Sequence, residues 1–269
     1  MSSLPFAATT PIHVSRVALR ARDADNLARF YETVVGMREL GRENGAIRLG
    51  AGNRELLRIE SDPSAEPDAP RSAGLFHTAF LLPERADLAR WLRYAAEKLL
   101  PVGGASDHLV SEAVYLDDPE GNGIEIYRDR RPDEWKWNGS QVEMATVRLN
   151  VEDLLRSLPE GDAGWQGVPD DAMVGHIHLR VGDPRQAESW WKDNLGFDTV
   201  ARYGDAAAFM STGGYHHHVG ANVWQSRGAG PRDPKRAGLS WFELASREAK
   251  EPQDFRDPWG TEVRVVAKD

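Results

Sequence analysis

VALRARDADNLARFYETVVGM, residues 17–37, and IHLRVGDPRQAESWWKDNLGF, residues 177–197, are one element written twice at a constant offset of 160. Arg20 stands over Arg180, Asp23 over Asp183 and Gly36 over Gly196, and the aromatic pair Phe30-Tyr31 falls on Trp190-Trp191. Each copy reads as a strand, an Asp that can cap a helix N-terminus, about three helical turns, and a Gly that can take the left-handed C-cap conformation. The Trp pair sits where a helix packs on its sheet, so core packing is its expected role.

A shorter repeat lies outward from these. GLFHTAFLLPE from Gly74 matches GLSWFELASRE from Gly238, and DPEGNGIEIY from Asp118 matches DPWGTEVRVV from Asp257. The first copy holds ADLARWLRYAAEKLL, with apolar residues at helical spacing, between its two parts; the second is about 25 residues shorter there and is expected to lack the helix. The chain is therefore α+β, with four βαβββ modules over residues 12–61, 73–129, 173–227 and 237–268, the fourth without its helix. Residues 1–130 are expected as an N-terminal domain of modules one and two, and residues 172–269 as a C-terminal domain of modules three and four. Residues 131–171 form a Pro-, Gly- and acid-rich connector with one helical patch, VEDLLRSL.

Composition narrows the function. The 269 residues are 41% hydrophobic with nine Trp, enough for real cores. A net charge of -9, with no basic stretch, argues against nucleic acid, whose phosphates need clustered Lys and Arg. The start, MSSLPFAATT, has no secretory pattern, and no apolar run reaches the length of a membrane span, so a cytoplasmic protein without membrane contact is expected. The chain has no Cys. Thiolate catalysis and Cys-zinc sites are excluded, and any metal must sit on His and carboxylate, ligands suited to iron(II) or manganese(II). Assembly into a homo-oligomer is neither required nor excluded.

The repeat allows histidines to be compared by position. His176 lies seven residues before Asp183, and the same place in module one is Arg16. His77 is fourth in GLFH, where module four has Trp241 in GLSW. Glu125 lies seven after Asp118, where module four has Arg264 after Asp257. A lone strand histidine is most often a satisfied core or rim residue. Two histidines and a Glu at repeat-equivalent places, all absent from the other pair, instead match the facial set of non-haem iron(II) oxygenases, which leaves coordination positions open. If the first and last strands of a module are neighbours, His77 and Glu125 meet, and His176 requires module two to pair with module three. Arg16 and Arg264 would repel a cation, so modules one and four are expected to be structural.

GLFHTAFLLPER, DHLVSEAVYLDDPEGNGIEIY, MVGHIHLRVGD and GGYHHHVGANVW together resemble the vicinal oxygen chelate superfamily of glyoxalases, bleomycin-resistance proteins and extradiol dioxygenases. Within it the chain is most similar to two-domain bacterial catechol 2,3-dioxygenases, over nearly its whole length and more weakly in module four. The resemblance implies modules closing pairwise into two cup-shaped mixed sheets. It also implies a mononuclear non-haem iron(II) on His77, Glu125 and His176, and insertion of O2 into a small aromatic diol. Such enzymes carry a Tyr ten residues before the ligand Glu, the place of Tyr115, and an acid-base His in the last strand of the module that supplies the first ligand His. Matching that pattern to GYHHHVGANVW favours His217; strand alternation would put His216 and His218 on the opposite face. His178, two residues beyond His176, faces the same side and can line the substrate cavity, and His108 in DHLVSEAVY can contact substrate or sit on the rim. His13, ahead of the first module, is expected at the surface.

Two other functions compete. A glyoxalase-type isomerase or lyase would add a second carboxylate from HHHVGANVWQS, which has no Asp or Glu. A non-catalytic resistance protein that sequesters an aromatic drug would have no need of the metal triad.

Overall fold

The computed structural model describes residues 4–268. A short helix, α1 (Phe6–Thr9), precedes module one, which is β1 (Ile12–Ala21), α2 (Ala24–Phe30, extended by a π turn), β2 (Arg38–Glu43), β3 (Ala46–Ala51) and β4 (Arg54–Ser61). Module two is β5 (Gly74–Leu81), α3 (Arg85–Glu97), β6 (Gly104–Asp107), β7 (Ser111–Asp117) and β8 (Gly123–Asp129). The connector adds three two-residue strands, β9 (Trp137–Asn138), β10 (Gln141–Val142) and β11 (Val147–Arg148), and α4 (Val151–Leu155). Module three is β12 (Met173–Arg180), α5 (Pro184–Leu195), β13 (Asp198–Tyr203), β14 (Ala207–Ser211) and β15 (Val219–Asn222). Module four keeps only β16 (Gly238–Ser246), β17 (Gln253–Arg256) and β18 (Glu262–Ala267), so it lacks the helix, as expected, and one strand besides.

The repeat signals act as read. Asp23 and Asp183 each accept a backbone N–H at the start of their helices, and Gly36 and Gly196 close them at φ 86° and 68°. A side chain at those φ values would be strained, so Gly is the residue that ends the helix there.

Nine strands form one mixed sheet, in the order β11-β6-β7-β8-β5-β12-β15-β14-β13, seven form a second, β17-β18-β16-β1-β4-β3-β2, and β9 and β10 pair as a small ribbon. In every module the first strand runs parallel to the last: β5 with β8, β12 with β15, β1 with β4, β16 with β18. Modules join through antiparallel first strands, β5 with β12 and β1 with β16. Module two thus pairs with three, and one with four. The sheets cut across the expected domains 1–130 and 172–269, each drawing one module from either side of the connector, because the modules join through the antiparallel first strands β5 with β12 and β1 with β16.

Strand alternation sorts the side chains. Ile177 and Leu179 on β12, and Ile124 and Ile126 on β8, join Val17, Leu19 and Phe242 of the other sheet in the main core, which also takes the fully buried Trp91 and Trp191. Trp191 is therefore a core residue. The intervening positions, His176 and His178 on β12 and Glu125, Tyr127 and Asp129 on β8, turn to the opposite, concave face. There a smaller cluster with Trp135, Val142 and Tyr215 closes one end.

The seven-stranded sheet shows what stands at the equivalent places. The Arg264 guanidinium lies 3.9 Å over the ring of Trp241, and Arg16 approaches the same ring at 5.4 Å. Arg16 also reaches Glu243 at 2.7 Å and Glu55 at 3.3 Å. The three positions converge here as well, but on a cation–π and ion-pair cluster. His13, expected at the surface, is half-buried in β1; burial, then the charges of Lys268, Arg54 and Arg247, lower its pKa to about 4.

Candidate active site

Parallel pairing of β5 with β8 places Ala79 beside Glu125 and His77 beside Gly123, so the first two candidate ligands sit diagonally on neighbouring strands. Antiparallel pairing of β12 with β5 puts His176 beside Ala79, and a bulge between Val174 and His176 turns the histidine inward. His77 Nε2 lies 3.0 Å from Glu125 Oε2, His176 Nε2 lies 3.2 Å from the same oxygen, and the two nitrogens are 3.4 Å apart. All three residues are buried, and among the described residues they are the one His/Asp/Glu group whose ligand atoms cluster within 4.8 Å. Donors bonded at about 2.1 Å to one ion stand roughly 3 Å apart, so the donor set fits a metal without rearrangement. Burial would raise the pKa of Glu125, but attraction to His176 and His77 and their hydrogen bonds outweigh it and hold the carboxyl ionised. Burial lowers His176 to about 4 despite Glu125, leaving a neutral imidazole. A neutral imidazole and an ionised carboxylate are the forms that bind metal.

The three donors line one wall of a cavity of about 250 Å3. Its other walls are largely aromatic: Phe76, Tyr115, Tyr203, Phe209 and Trp224. Among the described lining residues Glu125 is the one carboxylate, and none is Lys or Arg. Trp224, half exposed, stands at the mouth. Apart from Tyr115, nothing in the sequence pointed to these wall residues, since aromatics usually pack in a core.

Tyr115 faces Glu125 directly across β7 and β8. Its hydroxyl lies 2.6 Å from His108 Nε2, while His108 Nδ1 lies 2.8 Å from the carbonyl of Ala145. A carbonyl can only accept, so Nδ1 carries the proton, Nε2 is bare, and Tyr115 donates to it. His108 therefore holds Tyr115 while it lines the cavity, which is more than a rim position. Burial, then the charge of Glu125, push the phenol pKa up, so Tyr115 stays protonated.

His178 lines the cavity two positions beyond His176, boxed by Phe76, Phe209 and Trp224. Its Nε2 is buried and has no hydrogen-bond partner among the described residues. Gly220 makes room for the ring: a Cβ there would lie 2.8 Å from it.

The HHH stretch departs from the expected alternation. Residues 212–218 are not strand; the chain turns at Gly213 and Gly214, with φ 64° and 76°, and β15 begins only at Val219. The three histidines consequently point three ways. His217 lines the cavity, its ring 4.1 Å from that of His176. His218 turns away to the hydroxyls of Thr10 and Ser211, both at 3.1 Å. His216, expected on the face away from His217, lies behind it, with the two Nδ1 atoms 2.8 Å apart. Burial, then neighbouring histidines, lower the pKa of His217 and keep it neutral.

The family model for the glyoxalase/bleomycin resistance protein/dioxygenase superfamily matches residues 13–126 and 173–254. A catechol-2,3-dioxygenase of Bacillus subtilis (strain 168) is 40% identical over 237 residues, covering 86% of this chain and 82% of that protein. Two solved structures share the fold at 11–12% identity, a level that speaks of fold alone. One is a Bacillus subtilis protein assigned as a dioxygenase, with TM-score 0.61 over 96% of this chain and 86% of that one. The other is glyoxalase I from Zea mays, with TM-score 0.57 over 97% and 94%. Among the described residues no helix is long and apolar enough to cross a membrane.

Proposed function

The chain belongs to the glyoxalase/bleomycin resistance protein/dioxygenase superfamily, and from that premise we propose that it is an extradiol ring-cleaving dioxygenase acting on a catechol-type aromatic diol. One observation carries the reading: two histidines and a carboxylate converge on one wall of an apolar, aromatic cavity that also holds a neutral histidine and a protonated tyrosine. His77, Glu125 and His176 would hold iron(II); manganese(II) suits the same donors. When bound, the metal supplies open positions for the diol and the electronic path between diol and O2.

The chain's own groups supply the rest. His217 takes a phenolic proton at its cavity-facing nitrogen and returns it as the ring opens. The Tyr115 hydroxyl, fixed by His108, orients the diol oxygens. His178 offers a neutral hydrogen-bonding nitrogen on the adjoining wall. Phe76, Phe209 and Trp224 flank the ring and keep water out. A cavity of about 150 Å3 holds benzene, so 250 Å3 accommodates one ring, its partner O2 and a small substituent. The lack of a cationic lining residue favours diols without a carboxylate substituent. A glyoxalase-type isomerase would need a further carboxylate among the lining residues, and a drug-sequestering protein would have no use for three converging donors.

The test is to load anaerobically purified protein with iron(II), add catechol and admit oxygen. One O2 consumed per ring, with a yellow hydroxy-semialdehyde as product, is expected, because the broken bond lies beside the diol and both oxygen atoms enter the product. A muconate, or no oxygen uptake with any catechol, overturns the reading.

A further inference from the structure

Glu125, Tyr127 and Asp129 alternate along β8 and share its concave face. Glu125 belongs to the donor triad, and the Tyr127 ring packs 4.9 Å from that of His176. Asp129 reaches across to module three: its Oδ1 lies 2.7 Å from Nε2 of His216, a side chain with no solvent exposure. His216 is wedged between Trp135 and Tyr215, at ring separations of 5.2 and 4.1 Å. Its other nitrogen, Nδ1, lies 2.8 Å from Nδ1 of His217. A partly buried carboxylate and two buried histidines thus stand in line behind the cavity, and the last of them forms part of its wall.

With Asp129 ionised and His216 neutral, donor and acceptor chemistry gives the line one direction. An ionised carboxylate can only accept, so His216 donates to Asp129 from Nε2. When His216 is neutral its Nδ1 is bare and can only accept, so His217 then donates to it from its own Nδ1. A neutral His217 is left with a bare Nε2 on the side of the ring away from this contact. We propose that Asp129 and His216 are positioning residues that lock His217 in the Nδ1–H tautomer and so present an unprotonated Nε2 to the cavity. The arrangement has the logic of a base oriented by a third group, here with an imidazole interposed between carboxylate and base. It also ties the base to the donor triad, because one strand carries Glu125 and Asp129 four residues apart. A shift of β8 against module three would misplace both together.

The inference rests on the proposed role of His217, but its first readout does not depend on turnover. Two-bond 1H–15N correlation spectra of the full-length protein, metal-free and loaded with zinc(II) as a diamagnetic stand-in, report which nitrogen of each histidine is protonated. The expected wild-type pattern is Nδ1–H for His217 and Nε2–H for His216. Asp129→Ala and His216→Phe, the second keeping a ring between Trp135 and Tyr215, should each release His217 into a mixture of tautomers. In the iron-loaded enzyme both should retain iron and hold KM within about twofold while kcat falls about 10- to 100-fold, the usual cost of losing a supporting hydrogen bond. The double variant should be no slower than the slower single one, since the groups form one chain. An Nε2–H tautomer at His217 in the wild type overturns the proposal. So does an Asp129→Ala or His216→Phe enzyme with unchanged spectra and kcat, or one that loses iron, KM and kcat together as a structural defect would. A wild type that leaves catechols intact would sink the dioxygenase reading instead, and the spectra alone would then decide the tautomer.

Discussion

Glu125 keeps its charge in a place where burial alone would neutralise it, and it does so through two imidazoles that came from different modules. Removing any member of the trio leaves the others without that balance. His77→Ala, His176→Ala and Glu125→Ala should each fold yet bind iron more than about 100-fold more weakly, since even supporting residues cost 10- to 100-fold; metal analysis after gel filtration reads this. His217→Asn and Tyr115→Phe form the contrast, expected to keep iron and lose about 10²- to 10⁴-fold in kcat. Full iron occupancy in a ligand variant would remove that residue from the trio, and iron loss at 217 or 115 would add one. The trio was legible in the sequence because the repeat supplied its own control: Arg16, Trp241 and Arg264 stand where the donors should be. Asp129 was not, since a carboxylate at a strand end reads as solvated until the chain that crosses it is known.

At the scale of elements, strand alternation held wherever the strand was regular and failed where two glycines broke it. On β8 and β12 it separates the apolar convex face from the polar concave one. Across residues 212–218 it predicts a parity that the turn at Gly213 and Gly214 abolishes, so His216 and His218, alike by parity, have unlike surroundings. His218 ties this turn to Thr10, just ahead of β1. Its substitution by Asn should cost stability, about 1 kcal/mol for each hydrogen bond lost to Thr10 and Ser211, while the cavity is untouched. Urea unfolding beside steady-state kinetics would separate this from His216→Phe, for which the reverse is expected. A drop in kcat for His218→Asn as large as that for His217→Asn would show that the turn and the cavity are not independent.

Across the whole molecule, several histidines are buried neutral, and this sets how the protein meets acid. Above pH 6.5, His13 is neutral folded or unfolded and contributes nothing to the pH dependence. Between 6.5 and its folded value of about 4, the unfolded chain takes up a proton that the folded one refuses, so stability falls as pH drops through this window. His178, His217 and His218, lowered chiefly by burial, act in the same direction. Unfolding free energy measured at pH 7.5, 6 and 5 should decline steadily, and His13→Gln should decline less steeply; a parallel decline would place His13's ring in water. The module plan and the pairing of module two with three could be read from the repeat and from the need to bring His176 to His77. The back-to-back packing of the sheets through one core could not, because it depends on which apolar faces meet. That nested pairing also sets an order on biosynthesis. As the chain leaves the ribosome, β1 to β4 emerge first with an open edge whose partner, β16, comes more than two hundred residues after β1 begins. The inner modules can close while β1 still waits, so the aromatic cavity can be complete before the part of the molecule that is made first has found its mate.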